Sequence, residues 1–355
     1  MAGLPYTHVE MAALEAFVKR IQNNKITASD AARQYRKKYP ERSYNSIRHK
    51  LRDLAGENKA QPPASQIIKE PTETGMTVEE WFVKVNNYTL RQPPAKKVKG
   101  VKSNEASLVI VLSDLHDGKR SKEFDSAVLE SRISATLCQT RRFAPRVDEV
   151  VVCLVGDLVQ GTGIYPNQEI SLEYGAMSQV MHVTQILWAW MKLLQEQFEC
   201  PVRVVSVPGN HGRLGKQAAE EDNLDNLALY SLVCLARNYD SIEVEESYSP
   251  FNVVDIKGHR CLLNHVGMKH VGTPTMQRKA GAWLSYNECD IFITGHDHTA
   301  SISDGWMGKL VIQNGSVCGE DDFGERHALF NPARQVAFLL ERGQKPAEFR
   351  FLRWD

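Results

Sequence analysis

The sequence predicts a layered α/β domain preceded by a small all-α domain, and three observations predict it. From residue 107 onward, short β-branched apolar runs alternate with helix-period segments, the pattern of strands joined by helices. Ahead of residue 56 the apolar residues recur at helical spacing only. Between the two lies proline- and lysine-rich sequence of linker character. The boundaries read as 1–56, 57–105 and 106–355, in a chain whose 355 residues exceed a usual single domain.

Three helices account for the front. HVEMAALEAFVKRIQNN is amphipathic, TASDAARQYRKKYP offers Thr27 or Ser29 as an N-cap and stops at Pro40, and SYNSIRHKLRDLAG starts after Ser43 and ends at Gly56. Short connections and a last helix carrying Arg48, His49, Lys50 and Arg52 fit a helix-turn-helix of the Myb or homeodomain type, with Arg48, Lys50 and Arg52 as DNA contacts. A helical bundle with a solvated charged face is the plainer alternative. The linkers ENKAQPPASQIIKEPTETG and RQPPAKKVKGVKSNEA flank one short folded piece, MTVEEWFVKVNNYTL, whose Trp81 and Phe82 could dock on either neighbour.

Composition narrows the class. The formal net charge is zero, yet residues 1–105 hold 19 Lys+Arg against 11 Asp+Glu and the remainder holds 24 against 32, so the front suits a polyanion. Seven cysteines are scattered and never spaced CxxC, which argues against a disulfide framework or a zinc knuckle. No run of 18 apolar residues occurs, and no basic start leads into an apolar signal core, which predicts a cytoplasmic protein with no membrane partner.

In the α/β part, SLVIVLSD, EVVVCLVGD, VRVVSVPGN, HRCLLNH, DIFITGH and KLVIQNGS have strand length, and SLEYGAMSQVMHVTQILWAWMKLLQEQF is a long helix. Five of the strands end in chemistry: Ser113-Asp114-Leu115-His116-Asp117, Gly156-Asp157, Gly209-Asn210-His211-Gly212, Asn264-His265 and Gly295-His296-Asp297-His298. Ligands collect outside the carboxyl ends of strands in such sheets. Imidazole and carboxylate oxygen without thiolate suit hard-to-borderline divalent ions, and two ions about 3.5–4 Å apart could clamp a phosphoryl group between attacking hydroxide and leaving oxygen. Each piece alone is weak, since a lone GD is common and a lone histidine is more often core or surface than ligand. Their joint order at strand ends is the signal.

That order, D-x-H, GD, GNH, a single H, then GHxH, resembles the calcineurin-like metallophosphoesterase superfamily. The resemblance implies a two-sheet β-sandwich flanked by helices and a pair of divalent metal ions, manganese first, with iron, zinc, nickel or magnesium as alternatives. It implies that Asp114 and His116 bind one metal, that Asp157 bridges both, and that Asn210 and His265 bind the second. His296 would go to the second metal and His298 to the first. His211 would bind none, facing the scissile phosphate and assisting the leaving group.

Departures from the Ser/Thr protein phosphatases are informative. The GD motif continues here as Leu158-Val159-Gln160-Gly161 and GNH is followed by Gly212, so the pattern leaves no orienting partner for His211 in view. Asp117 and Asp297 read either as partners that orient ligand histidines or as solvated loop acids. In the loop QGTGIYPNQEIS, Tyr165 could stack on a base or sugar, or pin the loop onto the helix that follows. Lys119, Arg120, Arg213 and Lys216 are candidates for flanking phosphates.

The expected function is a dinuclear metal-dependent phosphodiesterase hydrolysing nucleic acid, a DNA exo- or endonuclease. DNA-repair nucleases of the SbcD kind and phage-type phosphoesterases share the resemblance. The alternatives are a phosphomonoesterase or small or cyclic-nucleotide phosphodiesterase, and a DNA-binding regulator with an inactive phosphoesterase domain.

Overall fold

The computed structural model describes parts of residues 8–54, then 78–88 and 90, and 105–354 apart from 166–167, 220, 267–273, 305–307, 320–330 and 347. The chain divides into two compact units, Met1–Ile67 and Ile68–Asp355.

In the first unit, α1 (His8–Gln22) presents Leu14, Val18 and Ile21 at helical spacing, and α2 (Ala28–Lys38) answers with Ala31, Ala32 and Tyr35. Ile47 and Leu51, on a further helical stretch, close the core. The Tyr35 hydroxyl donates to the Glu10 carbonyl at 3.2 Å, so the buried phenol is satisfied. Ser29 lies inside α2 and is not its cap. Arg33, Arg36, Lys37 and Lys38 are exposed on α2, the last three where cations offset the helix dipole. Lys50 is helical and half-buried, whereas Arg48 and Arg52 lie outside the described residues.

The second unit opens with α3 (Val78–Asn87), which is docked through Val85 into the main core. Then come β1 (Ala106–Leu112), α4 (Ser126–Thr140), β2 (Glu149–Val155), α5 (Ala176–Phe198), β3 (Val202–Val207), α6 (Leu224–Ala236) and β4 (Ile242–Val244). They are followed by β5 (Phe251–Ile256), β6 (His259–Asn264), α7 (Pro274–Tyr286), β7 (Ile291–Thr294), β8 (Ser301–Asp304), β9 (Leu310–Gln313), β10 (Arg334–Glu341) and β11 (Glu348–Arg353). One sheet has the order β11-β10-β1-β2-β3-β4 and the other β5-β6-β7-β9-β8. This is the two-sheet sandwich flanked by helices that the resemblance implies.

Alternation builds the layers. Val109 and Val111 of β1, Val151 and Cys153 of β2 and Val205 and Val207 of β3 face the second sheet, meeting Val254, Cys261, Leu263, Ile291, Ile293 and Ile312. Their neighbours Leu108, Ile110, Val150, Val152, Val202 and Val204 face the outer helices, where Trp188 and Trp190 of α5 are fully buried. On the far side, Leu262, Phe292 and Val311 pack on Ala280 and Leu284 of α7. β1, β2 and β3 are covered on both faces, which is why these runs read as continuously apolar, whereas β5 keeps one face to solvent through Phe251 and Val253.

Direction and register place the site. β1, β2 and β3 are parallel, with Leu112 level with Leu154 and Leu154 level with Ser206, so their carboxyl ends stop at one height. β6 and β7 are also parallel, with Asn264 level with Thr294. The loops leaving these five ends share one crevice at the edge of the sandwich.

Candidate metal centre

The loops after the five strand ends bring Asp114, His116, Asp157, Asn210, His265, His296 and His298 together. Ligand-capable atoms of Asp114, His116 and His298 lie within 4.8 Å of one another, as do those of Asp157, His265 and His296. In the first group, Nε2 of His116 and His298 are 3.1 Å apart and His298 Nε2 is 3.3 Å from Asp114 Oδ1. In the second, His265 Nε2 is 3.0 Å from Asp157 Oδ2 and His296 Nδ1 is 2.6 Å from Asn210 Oδ1. A further grouping of His116, Asp157 and His211 joins the two, with Asp157 and His116 common to neighbouring groups.

The backbone is bent to make this possible. Asp114 (φ 53°), His116 (48°), Asp157 (52°), His296 (84°) and His298 (57°) all occupy the left-handed region, which non-glycine residues rarely enter. Two glycines permit close approach. A Cβ on Gly209 would come 2.1 Å from Asp157 Oδ1, and one on Gly295 would come 2.8 Å from Asp114 Oδ2.

Hydrogen bonds then aim the side chains. His265 Nδ1 pairs with the Val155 carbonyl at 2.7 Å, which as a donor leaves Nε2 its lone pair for the centre. Ser113 Oγ donates to Asp114 Oδ2 at 2.5 Å, and the His296 amide reaches the same carboxylate at 3.1 Å. Asp157 Oδ1 accepts from the His211 amide at 2.8 Å. His211 Nδ1 lies 3.2 Å from the Gln160 carbonyl, so the partner that the phosphatase pattern leaves out of view is a backbone oxygen. As donor there, the ring keeps Nε2 for the open side.

The electrostatics call for positive charge. Asp157 is held well below the usual carboxylate range, because facing His265 and His211 outweigh its burial. Asp114 is also lowered, with His265 and His298 outweighing burial. His265 is pushed up to about 10, since Asp157 and Asp114 overcome the opposing effect of burial. Burial, then neighbouring His211 and His298, push His116 well down, and burial lowers His296 and His211. Two buried carboxylates ringed by imidazole nitrogens and an amide oxygen fit divalent cations of the hard-to-borderline kind.

Other candidates fall in different places. Asp117 orients no ligand histidine: fully buried, its Oδ1 accepts from the Tyr174 hydroxyl and pairs with His182 Nδ1, both at 2.8 Å. The Tyr165 ring lies 4.8 Å from that of His211 and its hydroxyl 2.7 Å from Asn210 Nδ2. Gln168 and, from α5, Gln179 hold the loop through the amides of Ile164, Tyr165 and Gly161. Arg213 Nε donates to the Asn210 carbonyl at 3.0 Å, and the charge of Lys119 reaches both His116 and His211. Arg120 and Lys216 are exposed.

Asp225 escaped the sequence reading. Buried at the start of α6, it accepts from the amides of Leu158 at 3.1 Å, Val159 at 3.3 Å and Gly209 at 2.9 Å, tying the GD loop to the GNH loop. Burial, then the charge of Asp157, raise it to about 6. An acid in a helix's first turn reads as ordinary capping, so nothing in the sequence marked it.

A helix-flanked sandwich with this ligand set at its strand ends defines a metallophosphoesterase. Residues 107–300, more than half of the chain, match the calcineurin-like phosphoesterase family, and the protein belongs to that family. The DNA polymerase II small subunit of Methanocaldococcus jannaschii is 20% identical over 298 residues, covering 74% of this chain and 46% of that protein. The SPbeta prophage-derived protein YonJ of Bacillus subtilis is 22% identical over 256 residues, covering 66% of this chain and 60% of that protein. The chain thus spans less than two thirds of either relative. Among solved structures, vacuolar protein sorting 29 from Cryptosporidium parvum is similar, with 15% identity, 70% of this chain and 98% of that chain covered, and a TM-score of 0.36.

Proposed function

We propose that the protein is a two-metal phosphodiesterase that hydrolyses nucleic acid, DNA foremost, in the cytoplasm. The observation that carries this reading is the pair of ligand groups, Asp114-His116-His298 and Asp157-His265-His296, linked by the grouping of His116, Asp157 and His211. Asp114, His116, Asp157 and His298 would hold one ion, and Asp157, Asn210, His265 and His296 the other, manganese being the first choice. Bound there, such ions supply Lewis-acid chemistry, acidifying water and neutralising phosphoryl charge.

The chain's own residues do the rest. His211, fixed through Nδ1 to Gln160, passes a proton from Nε2 to the departing oxygen, and Lys119 attracts phosphate from beside it. The exposed cations of α2 and the named role of the archaeal relative support nucleic acid over a small ester. Among the described residues no helix is long and apolar enough to cross a membrane. A basic unit joined by a linker raises the local concentration of DNA at the centre.

The test is a substrate panel with the full chain and manganese: labelled linear duplex, single-stranded DNA, bis-p-nitrophenyl phosphate and the monoester. Cleavage of DNA and preference for the diester are expected. Ester cleavage with all DNA intact would transfer the assignment to small phosphoesters, and no turnover with any divalent ion would leave a binding module.

A further inference from the structure

Among the proposed ligands Asn210 differs in kind, because its side chain ends in an amide. Oδ1 is an acceptor that a cation can use, while Nδ2 carries two hydrogens and repels one. A half-turn of the amide exchanges the two ends. Arg213 holds the Asn210 carbonyl at 3.0 Å, which steadies the main chain and does not constrain the amide itself.

Tyr165 occupies the place where that freedom is settled. Its hydroxyl lies 2.7 Å from Asn210 Nδ2, while Asn210 Oδ1 faces His296 Nδ1 at 2.6 Å, two atoms aimed at a shared centre. The tyrosine is itself held. Gln168 Oε1 accepts from the amides of Ile164 at 2.9 Å and Tyr165 at 3.1 Å, Gln168 Nε2 donates to the Gln160 carbonyl, and Gln179 fixes Gly161 at 2.8 Å. The phenol ring also lies against His211, tilted 37° at 4.8 Å between centroids.

We infer that Tyr165 is a positioning residue for the second ion: its hydroxyl accepts from Asn210 Nδ2 and so supports the amide rotamer that presents Oδ1 to metal. The inference rests on the two-ion reading proposed above. A hydroxyl can also turn and donate to Oδ1, but only until a cation claims that oxygen. Once it does, charge drawn toward Oδ1 makes the Nδ2 hydrogens better donors, and the bond to Tyr165 strengthens with loading. The hydroxyl therefore raises affinity at the second site and leaves the first, which has no amide, as it was.

Tyr165→Phe keeps the ring on His211 and removes only the acceptor, and with the side chain 38% exposed it opens no core cavity. The measurement is a calorimetric titration of full-length wild type and Y165F with Mn2+, beside diester hydrolysis as a function of Mn2+. Two ions are expected in each, with one dissociation constant about tenfold weaker in Y165F, the size typical for a lost supporting partner, and the other unchanged. The Mn2+ concentration that gives half-maximal turnover should rise in Y165F by the same factor of about ten. Two unchanged constants, or two that weaken together, overturn the role of Tyr165. Fewer than two ions on wild type overturns the two-ion reading and this inference with it.

Discussion

Asp157 and His211 are linked by a 2.8 Å hydrogen bond, yet their removal should read out differently. In the proposed two-ion centre Asp157 serves both ions, so Asp157→Asn should lower the metal content measured by plasma mass spectrometry at both sites. His211→Ala leaves the ligand side chains in place; metal content should hold while kcat falls by about 10²–10⁴-fold, and normal turnover would remove His211 from the mechanism. A third residue is predicted to act on stability. Burial lowers His182, but the charge and hydrogen bond of Asp117, aided by Glu130 and Glu173, outweigh it and raise the imidazole above its ordinary value. A raised histidine contributes stability that is complete below about pH 6.5 and is lost as pH climbs through the folded-state value. Denaturation midpoints of wild type should therefore fall above about pH 6.5 by more than those of His182→Gln, and parallel profiles would mean that the pair carries no charge.

At the level of elements, α3 is held by Val85 in the main core and by hydrogen bonds to Asn86 from the helix layer. Asn86 Oδ1 accepts from Trp188 Nε1 at 3.1 Å and from the Tyr239 hydroxyl at 3.0 Å. Asn86→Ala leaves both donors without that partner, at a cost of about 1–3 kcal/mol seen as a lower denaturation midpoint with unchanged slope. An unmoved midpoint would show that α3 contributes little. The sequence announced α3 as a folded piece but not its berth, because the partners lie 102 and 153 positions further on. The doubly covered strands β1, β2, β3, β6, β7 and β9 were legible as β-branched runs, whereas β4 spans three residues and β10 (RQVAFLLE) has a run that fits helix as well as strand. At the centre, ligand types and order were legible. The carbonyl that holds His211 was not, since a backbone oxygen leaves no mark in the side-chain alphabet, and Asp225 shows only as a capping acid.

For the whole molecule, the proposed division of labour between a basic front and a metal-holding rear is separable by experiment. Removing residues 1–56 should weaken DNA binding and flatten its dependence on salt, with hydrolysis of a small diester spared. Equal DNA affinity and an equal salt slope would take the front out of DNA recognition. The rear carries a different kind of information. Five of its proposed ligands, Asp114, His116, Asp157, His296 and His298, sit where glycine would cost the backbone less. In a lineage whose survival stopped depending on bound ions, changes to glycine or asparagine there would relieve the fold and lose nothing that selection still measured. Those five codons should drift before the buried strands that carry them, so they date disuse earlier than the fold can. In this chain all five still encode aspartate or histidine.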